Sequence, residues 1–469
     1  MFPLTIILDF FILITRTYIR LDRIKHGGFK MKKPDNILSV SYVNEPRRDI
    51  LCIDIKSFFA SVEAVERDQD PLEAMIAVVS KPDNNGGLVL AASPKVKEKY
   101  NVRTGTRVYE IPKRSEIEIV EPRMALYLKR NLEIIEIFKR YVSLQDLHVY
   151  SIDEAFIDVT HSHALFGSTR EIATKIQADI QNEMNLIATV GIGDNPLLAK
   201  LALDHQAKRD DEKLYQAYWS YEQVPQTIWK ITDLTDFWGI GSRTESKLKR
   251  LGIHSLYDLA QYDVRKIKSR FNVIGEQLFY HAHGIDRTIL SDKYVPKESS
   301  FSKNQILNRD YTNPYDVEVV IREMTEENAM RLRKHALTTS TIKLTIGYSK
   351  QTVEAGFSHQ MAIEATDSSK KLVHYMLRIF RKYYEKHAVR VVNVSFDKIT
   401  PKQDYQMTLF ESLEDVLKDK SLDDVVDIVR KKYGYTSLLH ASSLLQNGMA
   451  IQRSKLLGGH QANTKESEG

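Results

Sequence analysis

The chain has 469 residues, of which 42% are hydrophobic and 28% charged, a composition typical of globular proteins. The length exceeds what one hydrophobic core supports and predicts about three or four domains. The net charge of +5 is compatible with a polyanionic partner, and the single cysteine, Cys52, excludes an intrachain disulfide and indicates a reducing, cytoplasmic environment.

The N-terminus carries an apolar stretch, residues 2–14, that is interrupted by Asp9 and too short to cross a membrane. Basic residues follow this stretch, whereas a signal peptide places them before it. We therefore expect no membrane partner. We also expect translation to begin at Met31, which makes residues 1–30 a translated leader; a peripheral membrane helix is the alternative.

Two apolar runs contain carboxylates. Residues 50–55 predict a core strand that includes Asp54, and residues 149–157 predict a β-hairpin whose turn carries Asp153 and Glu154. A carboxylate in a buried strand is costly unless its charge is compensated, and a divalent cation compensates it best. Paired in one sheet, the runs would bring three carboxylates together, enough to hold two Mg²⁺ for in-line phosphoryl transfer. Ordinary turn and capping chemistry is the alternative.

The other elements of the first half alternate between helix and strand. Ser57 is the expected cap of a helix over residues 57–69. Further strands are predicted over 74–79, 88–92 and 187–191, and further helices over 94–100, 124–142, 169–184 and 195–208. This interleaving favours an α+β or α/β layer. The buried setting of Cys52 predicts a packed, inert thiol.

Residues 214–284 are mostly helical in pattern and contain a glycine-rich turn, Gly239-Ile240-Gly241, followed by Ser242 and Arg243. Two glycines around one apolar residue between short helices predict a helix-hairpin-helix. In that motif the backbone amides and the next helix N-terminus face a DNA phosphate without reading the sequence.

The second half predicts a linker and then a β-rich α+β module. The Ser- and Lys-rich linker covers 289–304, and the module has helices over 314–336 and 367–387 and strands over 341–349, 352–357 and 391–396. A last helix is predicted over 421–432. No cluster has zinc-ligand spacing, and we expect two histidine pairs to lie at the surface or to face DNA: His161, His163, His281 and His283.

The string Asp54-Ile55-Lys56-Ser57-Phe58-Phe59-Ala60-Ser61-Val62-Glu63, with Ser151-Ile152-Asp153-Glu154-Ala155-Phe156 about a hundred residues later, resembles the Y-family DNA polymerases. Within that family the chain is most similar to the UmuC-like branch of Gram-positive bacteria and their mobile elements. The resemblance implies an α+β right-hand polymerase: an N-terminal extension (1–47), palm (48–57 and 125–210), fingers (58–124), helical thumb (211–288), linker (289–298), little finger (299–400) and C-terminal tail (401–469).

The resemblance also assigns the site. It implies that Asp54, Asp153 and Glu154 are catalytic ligands of two Mg²⁺, with the Ile55 carbonyl as a further ligand, whereas Asp158 is structural. Phe59 matches the steric gate, an aromatic ring that leaves no room for a ribonucleotide 2′-hydroxyl.

The nucleotide contacts that it implies are Phe58, beside the gate, and lysines for the triphosphate. Lys97, then Lys95, is the expected replacement for the family's fingers residues, and Lys208 resembles the palm lysine. An ungapped alignment places Glu98 at a position where the family has arginine, which does not suit an anion.

A further motif, Gln406-Met407-Thr408-Leu409-Phe410, resembles the peptide with which such polymerases bind the bacterial sliding clamp. In the UmuC-like branch this end is also expected to meet a UmuD-type subunit or a recombinase filament.

The expected function is error-prone, template-directed DNA synthesis past lesions, with primer-template DNA and dNTPs as substrates, in an SOS-type damage response. A catalytically silent, clamp-bound DNA-binding paralogue is the alternative, because Pro94 and Glu98 depart from the family pattern. A palm-type nucleotidyl cyclase also uses two metals, but it predicts neither the helix-hairpin-helix nor the clamp peptide.

Overall fold

The structure is a computed structural model that describes residues 40–83, 86–113, 116–209, 214–292, 299–402 and 413–462. The predicted leader and the predicted clamp peptide lie outside these residues. The chain divides into two compact units, one formed by residues up to Tyr294 and from His460 onward, the other by Val295–Gly459. No helix in the described ranges is both long enough and apolar enough to cross a bilayer.

The first unit mixes strands and helices along the chain. Its strands are β1 Ile50–Ile55, β2 Ile76–Ser80, β3 Leu88–Ala92, β4 Glu118–Val120, β5 Leu147–Val149, β6 Glu154–Asp158, β7 Ala188–Gly193 and β8 Gln216–Trp219. Its helices are α1 Phe58–Val65, α2 Pro94–Tyr100, α3 Met124–Phe138, α4 His163–Phe166, α5 Thr169–Met184, α6 Pro196–His205, α7 Ser242–Lys249, α8 Leu256–Gln261, α9 Val264–Phe271 and α10 Val273–Ala282.

The central sheet has the strand order β5-β6-β1-β7-β8, with β1 antiparallel to both of its neighbours. The predicted pairing of the two carboxylate-bearing runs is confirmed, since Asp54 lies opposite Glu154 on β6. On its other side Asp54 lies opposite Thr189 on β7. Strand β1 is paired on both of its edges, and its apolar residues are buried. Its C-terminal end, at Asp54 and Ile55, lines a cavity.

Helix α6 packs unusually close to the central sheet. A Cβ added to Gly191 would lie 2.0 Å from the carbonyl oxygen of Ala199, and one added to Gly193 would lie 2.3 Å from the Ala199 amide nitrogen. The helix begins after Asn195, whose side chain accepts a hydrogen bond of 2.9 Å from the Leu198 amide. The two glycines therefore fix how near this helix lies to the end of β1.

A smaller sheet of order β3-β2-β4 packs against α1, and Val96 of α2 is buried in the core of this sheet. The hairpin predicted over 74–79 and 88–92 is confirmed as β2 and β3. The expected capping role of Ser57 is wrong. Ser57 has φ +53° and its side chain caps nothing, because its Oγ instead accepts a hydrogen bond of 2.7 Å from Lys97 Nζ.

The predicted glycine turn is followed by α7, which begins at Ser242, and preceded by a 3-10 turn, Leu234–Asp236, where an α-helix was expected. Gly239 has φ +94°, a conformation that favours glycine. The predicted placement of His281 and His283 at the surface is wrong, since both are buried. Burial lowers the pKa of His283, and its Nδ1 lies 3.1 Å from the Phe279 carbonyl. His161 and His163 are exposed, as predicted.

The second unit is an antiparallel sheet of four strands, Gly356–Thr366, Leu337–Tyr348, Val389–Pro401 and Phe301–Tyr311 in spatial order, with two helices packed on its apolar face. Two predicted boundaries are wrong. The expected linker over 289–304 runs into the strand that begins at the buried Phe301, and the expected strand over 352–357 begins only at Gly356. The elements are β9 Phe301–Tyr311, α11 Pro314–Lys334, β10 Leu337–Tyr348, β11 Gly356–Thr366, α12 Ser369–Tyr383, β12 Val389–Pro401, α13 Leu413–Tyr433, α14 Ala450–Ser454 and the short strand Leu456–Leu457.

We predict that Gly191→Ala lowers the free energy of unfolding by about 2–3 kcal/mol, because the added methyl group cannot fit between β7 and α6. Urea unfolding followed by circular dichroism would measure the loss. Gly241→Ala is the matched control, because a Cβ there meets no atom within 4 Å. Equal stability of the two variants would contradict the close packing of α6.

Candidate active site

A cavity of about 370 Å³ lies at the C-terminal end of β1, where the strand leads into α1. Two of the predicted carboxylates, Asp54 and Asp153, face it, whereas Glu154 is not among the lining residues. The lining also includes many of the other predicted site residues and their neighbours: Ile55, Lys56, Ser57, Phe58, Phe59, Leu90, Ala91, Pro94, Lys97, Thr104, Thr189 and Lys208.

The hairpin turn that carries Asp153 is tied to the end of β1. The Ile55 amide donates a hydrogen bond of 3.0 Å to the Asp153 carbonyl. Ser151 Oγ donates one of 2.5 Å to Asp153 Oδ1, and Asn131 of α3 donates one of 2.7 Å to the Ile152 carbonyl. These bonds hold the Asp153 side chain toward the cavity.

Five charged side chains of alternating sign, which we call the alternating charge cluster, connect the sheet to α6: Glu154, Lys200, Asp204, Lys208 and Asp54. Lys200 Nζ lies 2.7 Å from Glu154 Oε1 and 3.0 Å from Asp204 Oδ2. Lys208 Nζ lies 3.0 Å from Asp204 Oδ1 and 3.1 Å from Asp54 Oδ2. The sequence predictions included Asp54, Glu154 and Lys208 but missed Lys200 and Asp204. Their i, i+4 spacing within an apolar helix is the signal that marks them.

The surroundings of Asp54 disfavour its ionised form. Burial, together with the nearby charges of Asp153 and Glu154, raises the pKa of Asp54 to about 7 although Lys208 acts to lower it. For Asp204 the order of effects is reversed. Burial acts to raise its pKa, but Lys200 and Lys208 together hold the pKa of this carboxyl below its ordinary value.

The donor set suits a hard divalent cation, because Asp54, Asp153 and the Ile55 carbonyl offer only oxygen atoms. In this arrangement no three His, Cys, Asp or Glu side chains of the described residues surround a common point. The Glu154 carboxylate is turned toward Lys200 and accepts a hydrogen bond of 3.1 Å from the Cys52 thiol. Cys52 is buried, as predicted, and burial raises the pKa of its thiol.

The two candidate lysines of α2 point in different directions. Lys97 faces the cavity, and its burial lowers the pKa of its ammonium group. Lys95 does not line the cavity and lies 3.2 Å from Glu73. Of the two residues proposed from the sequence, the structure therefore brings Lys97 to the carboxylates, and Glu98 pairs with Lys95 at 4.0 Å.

The helix-hairpin-helix residues form a second, separate surface of the same unit. Ile240 is buried in the core, while Gly239, Gly241, Ser242 and Arg243 are exposed. The exposed backbone therefore precedes the first turn of α7, where amides without a helical partner are available to an anion.

Three segments of the chain match models of one protein family. Residues 53–204 match the impB/mucB/samB family, residues 221–253 its helix-hairpin-helix motif, and residues 298–409 its C-terminal domain. The chain is 40% identical to UvrX of Bacillus subtilis, a protein named for UV-damage repair, over 90% of this chain and 100% of that one. It is 31% identical to DNA polymerase IV 2 of Bacillus subtilis, over 88% of this chain and 98% of that one.

A solved Y-family DNA polymerase chimera of Dbh and Dpo4 has the same fold, with a TM-score of 0.61 over 76% of this chain and 100% of that one, at 20% identity. The chain belongs to the Y family of DNA polymerases. The resemblance predicted from the two carboxylate strings and the α+β polymerase fold are thereby confirmed. For this Y-family member, the first family match spans four of the five residues of the alternating charge cluster, and Lys208 follows it.

We predict that Asp54→Asn raises the free energy of unfolding of the metal-free protein at pH 8 by about 1–2 kcal/mol. The reason is that the variant no longer buries a negative charge that Lys208 only partly neutralises. The wild-type folded state keeps the Asp54 proton up to about pH 7, whereas the unfolded chain releases it near its ordinary value of 3.8. Wild-type stability relative to the variant should therefore fall as the pH rises from about 4 to about 7.

Chemical unfolding in a chelator across this pH range would measure the difference. Asp204→Asn is the control and should destabilise the protein, because that carboxylate is paired with two lysines. A stabilisation of the same sign in both variants would contradict the assignment of the disfavoured charge to Asp54.

Proposed function

We propose that the protein is an error-prone, template-directed DNA polymerase for translesion synthesis, which joins a deoxynucleotide to a primer 3′-hydroxyl. One observation carries the proposal: a single cavity unites two carboxylates, Asp54 and Asp153, with an aromatic ring, Phe59, and two lysines, Lys97 and Lys208. Oxygen ligands suit divalent cations, lysines suit phosphates, and a ring between them suits a sugar.

Asp54, Asp153, Glu154 and the Ile55 carbonyl would hold two Mg²⁺. When bound, these ions lower the pKa of the primer hydroxyl and neutralise the triphosphate and the leaving pyrophosphate. To join this set, Glu154 must exchange its contact with Lys200 for the cation, and Asp204 then remains to neutralise Lys200.

The protein's own side chains would bind and select the nucleotide. Lys97 and Lys208 present ammonium groups to the triphosphate as point charges, without the bidentate geometry of arginine. Phe59 would lie under the sugar and exclude a 2′-hydroxyl, whereas Phe58 is only 2% exposed and serves mainly as core. Low fidelity would follow if small lining residues such as Ala91 were the ones that meet the nascent base pair.

The remaining parts of the first unit would serve as the palm, fingers and thumb predicted from the resemblance. The central sheet would form the palm, although its edge strand β8 lies in the range expected for the thumb. The β3-β2-β4 sheet with α1 and α2 would form the fingers, and the turn Gly239–Gly241 would bind the DNA backbone. Residues 299–400 would form the little finger. The clamp peptide, Gln406 to Phe410, and an interaction with a UmuD-type subunit or a recombinase filament remain predictions from the sequence.

We expect the wild-type protein to extend a primer on undamaged and abasic templates with Mg²⁺ and dNTPs, and Asp153→Ala/Glu154→Ala to lose extension while keeping primer-template binding. Gel-based primer extension and fluorescence anisotropy would measure the two properties. Primer-template binding without extension by the wild type would contradict the polymerase assignment. It would support the silent paralogue or a missing activating partner.

We also predict that Lys97→Met lowers kcat/KM for dNTPs by about tenfold or more, because a charge-assisted phosphate contact is lost. Lys95→Met should change it by less than about twofold, because an exposed ion pair on the far side of α2 contributes little. Steady-state single-nucleotide incorporation would compare the two. An equal loss in both variants would remove Lys97 from the nucleotide site.

A further inference from the structure

The ring of Phe59 rests on a second aromatic ring that does not itself line the cavity. The Phe59 and Tyr127 rings are stacked, with centroids 4.4 Å apart and planes inclined by 15°. Tyr127 lies on α3 and is fully buried. Phe59 has therefore one face toward the cavity and the other against a ring that cannot move into solvent.

The Tyr127 hydroxyl is held by a carboxylate of α1. It donates a hydrogen bond of 2.7 Å to Glu63 Oε1. Glu63 lies four residues after Phe59, so both side chains project from the same face of α1. The helix thus holds Tyr127 at two points, by its ring through Phe59 and by its hydroxyl through Glu63.

Glu63 is fully buried and is itself fixed by two arginines. Arg123 donates through Nε to Oε1 at 2.9 Å and through Nη2 to Oε2 at 2.7 Å, and Arg67 also bonds to Oε2. Arg67 further donates a bond of 2.8 Å to the Glu63 carbonyl. The carboxylate therefore has a partner on each oxygen and one defined orientation.

The charge states of Glu63 and Tyr127 fix which of them donates the hydrogen bond and which accepts it. Burial acts to raise the pKa of Glu63, but the hydrogen bonds from Arg123, Arg67 and Tyr127 hold it below its ordinary value, so the carboxylate is ionised. Burial and the Glu63 charge raise the pKa of Tyr127, so its phenol keeps the proton that it donates. A neutral donor and a charged acceptor form a short, strong hydrogen bond.

We propose that Glu63, Arg123 and Tyr127 are positioning residues that fix the depth of the Phe59 ring in the cavity and thereby set the discrimination against ribonucleotides. The proposal rests on the proposed function of Phe59 as the steric gate. A gate that excludes by contact must not retreat, because a binding geometry has to be held to within about 0.5 Å to be effective. Anchoring the supporting ring at its hydroxyl removes that freedom.

Core packing alone does not explain the network. A phenylalanine at position 127 would keep the stack with Phe59 and the edge contact with Phe58, whose ring centroid lies 6.4 Å away. A buried ionic group is often no more stabilising than apolar residues of similar size, and it is best explained where it specifies a geometry. Here the geometry that it specifies is the position of the ring behind the gate.

The experiment measures the ratio of kcat/KM for dCTP to that for CTP opposite template dG in single-nucleotide incorporation. Tyr127→Phe should lower this ratio by about threefold to tenfold, the effect of one hydrogen bond, because CTP incorporation rises. Arg123→Lys, which keeps the charge but loses the paired hydrogen bonds, should change the ratio in the same direction. Thermal unfolding of each variant would show that the fold is kept.

Tyr141→Phe is the matched control. The Tyr141 hydroxyl donates a bond of the same length, 2.7 Å, to Asp179, and Tyr141 does not line the cavity, so the ratio should stay unchanged. A folded Tyr127→Phe protein with the wild-type ratio would overturn the positioning role, while dNTP extension by the wild type would leave the polymerase assignment intact.

Phe59→Ala tests the steric gate separately from the residues that position it. A large fall of the ratio in this variant supports the gate on which the inference rests, whereas an unchanged ratio overturns gate and inference together. Should the wild type extend no primer, the equilibrium dissociation constants of dCTP and CTP with Mg²⁺ would measure the discrimination in the ground state instead. Binding of neither nucleotide would overturn the nucleotide site itself and with it the positioning role.

Discussion

A carboxylate at the end of a buried strand is stable as an ion only beside a positive charge, and the first unit is arranged around this constraint. The antiparallel pairing of β1 with β6 places Asp54 and Glu154 opposite each other. Lys200 of helix α6 pairs with Glu154, and Lys208, just beyond the end of that helix, pairs with Asp54. These ion pairs require the helix to lie against the backbone of β7, which the two glycines of that strand permit.

The pairing with Lys200 and Lys208 leaves Glu154 and Asp54 able to bind a second partner. Lys208 is shared between Asp54 and Asp204, and Lys200 between Glu154 and Asp204, so each lysine keeps a carboxylate if the sheet residue leaves it. Asp204 is therefore a reserve of negative charge within the alternating charge cluster. When both sheet carboxylates exchange lysine for a divalent cation, the two lysines still share the single charge of Asp204, which lowers the desolvation cost of the exchange.

The sequence predicted the parts of this arrangement that depend on local pattern. A continuous apolar run located β1, and the glycine turn located the start of α7. The pairing of Asp54 with Glu154 followed from two such runs in one sheet. The orientation of Glu154 did not follow, because it depends on Lys200, which is distant in sequence. Short edge strands such as β4 and β8 carry too few residues for a pattern, and the buried positions of His281 and His283 reflect tertiary packing that overrides their polarity.

The setting of Cys52 has a practical consequence. It is the chain's single cysteine, it lies in the central strand, and its thiol is shielded and bonded to Glu154. A cysteine introduced on the surface would thus be the sole reactive thiol, so single-site fluorophores can be attached without removing a native residue. The native thiol, in turn, becomes a built-in reporter: the rate at which a thiol reagent modifies Cys52 measures how often the central sheet opens.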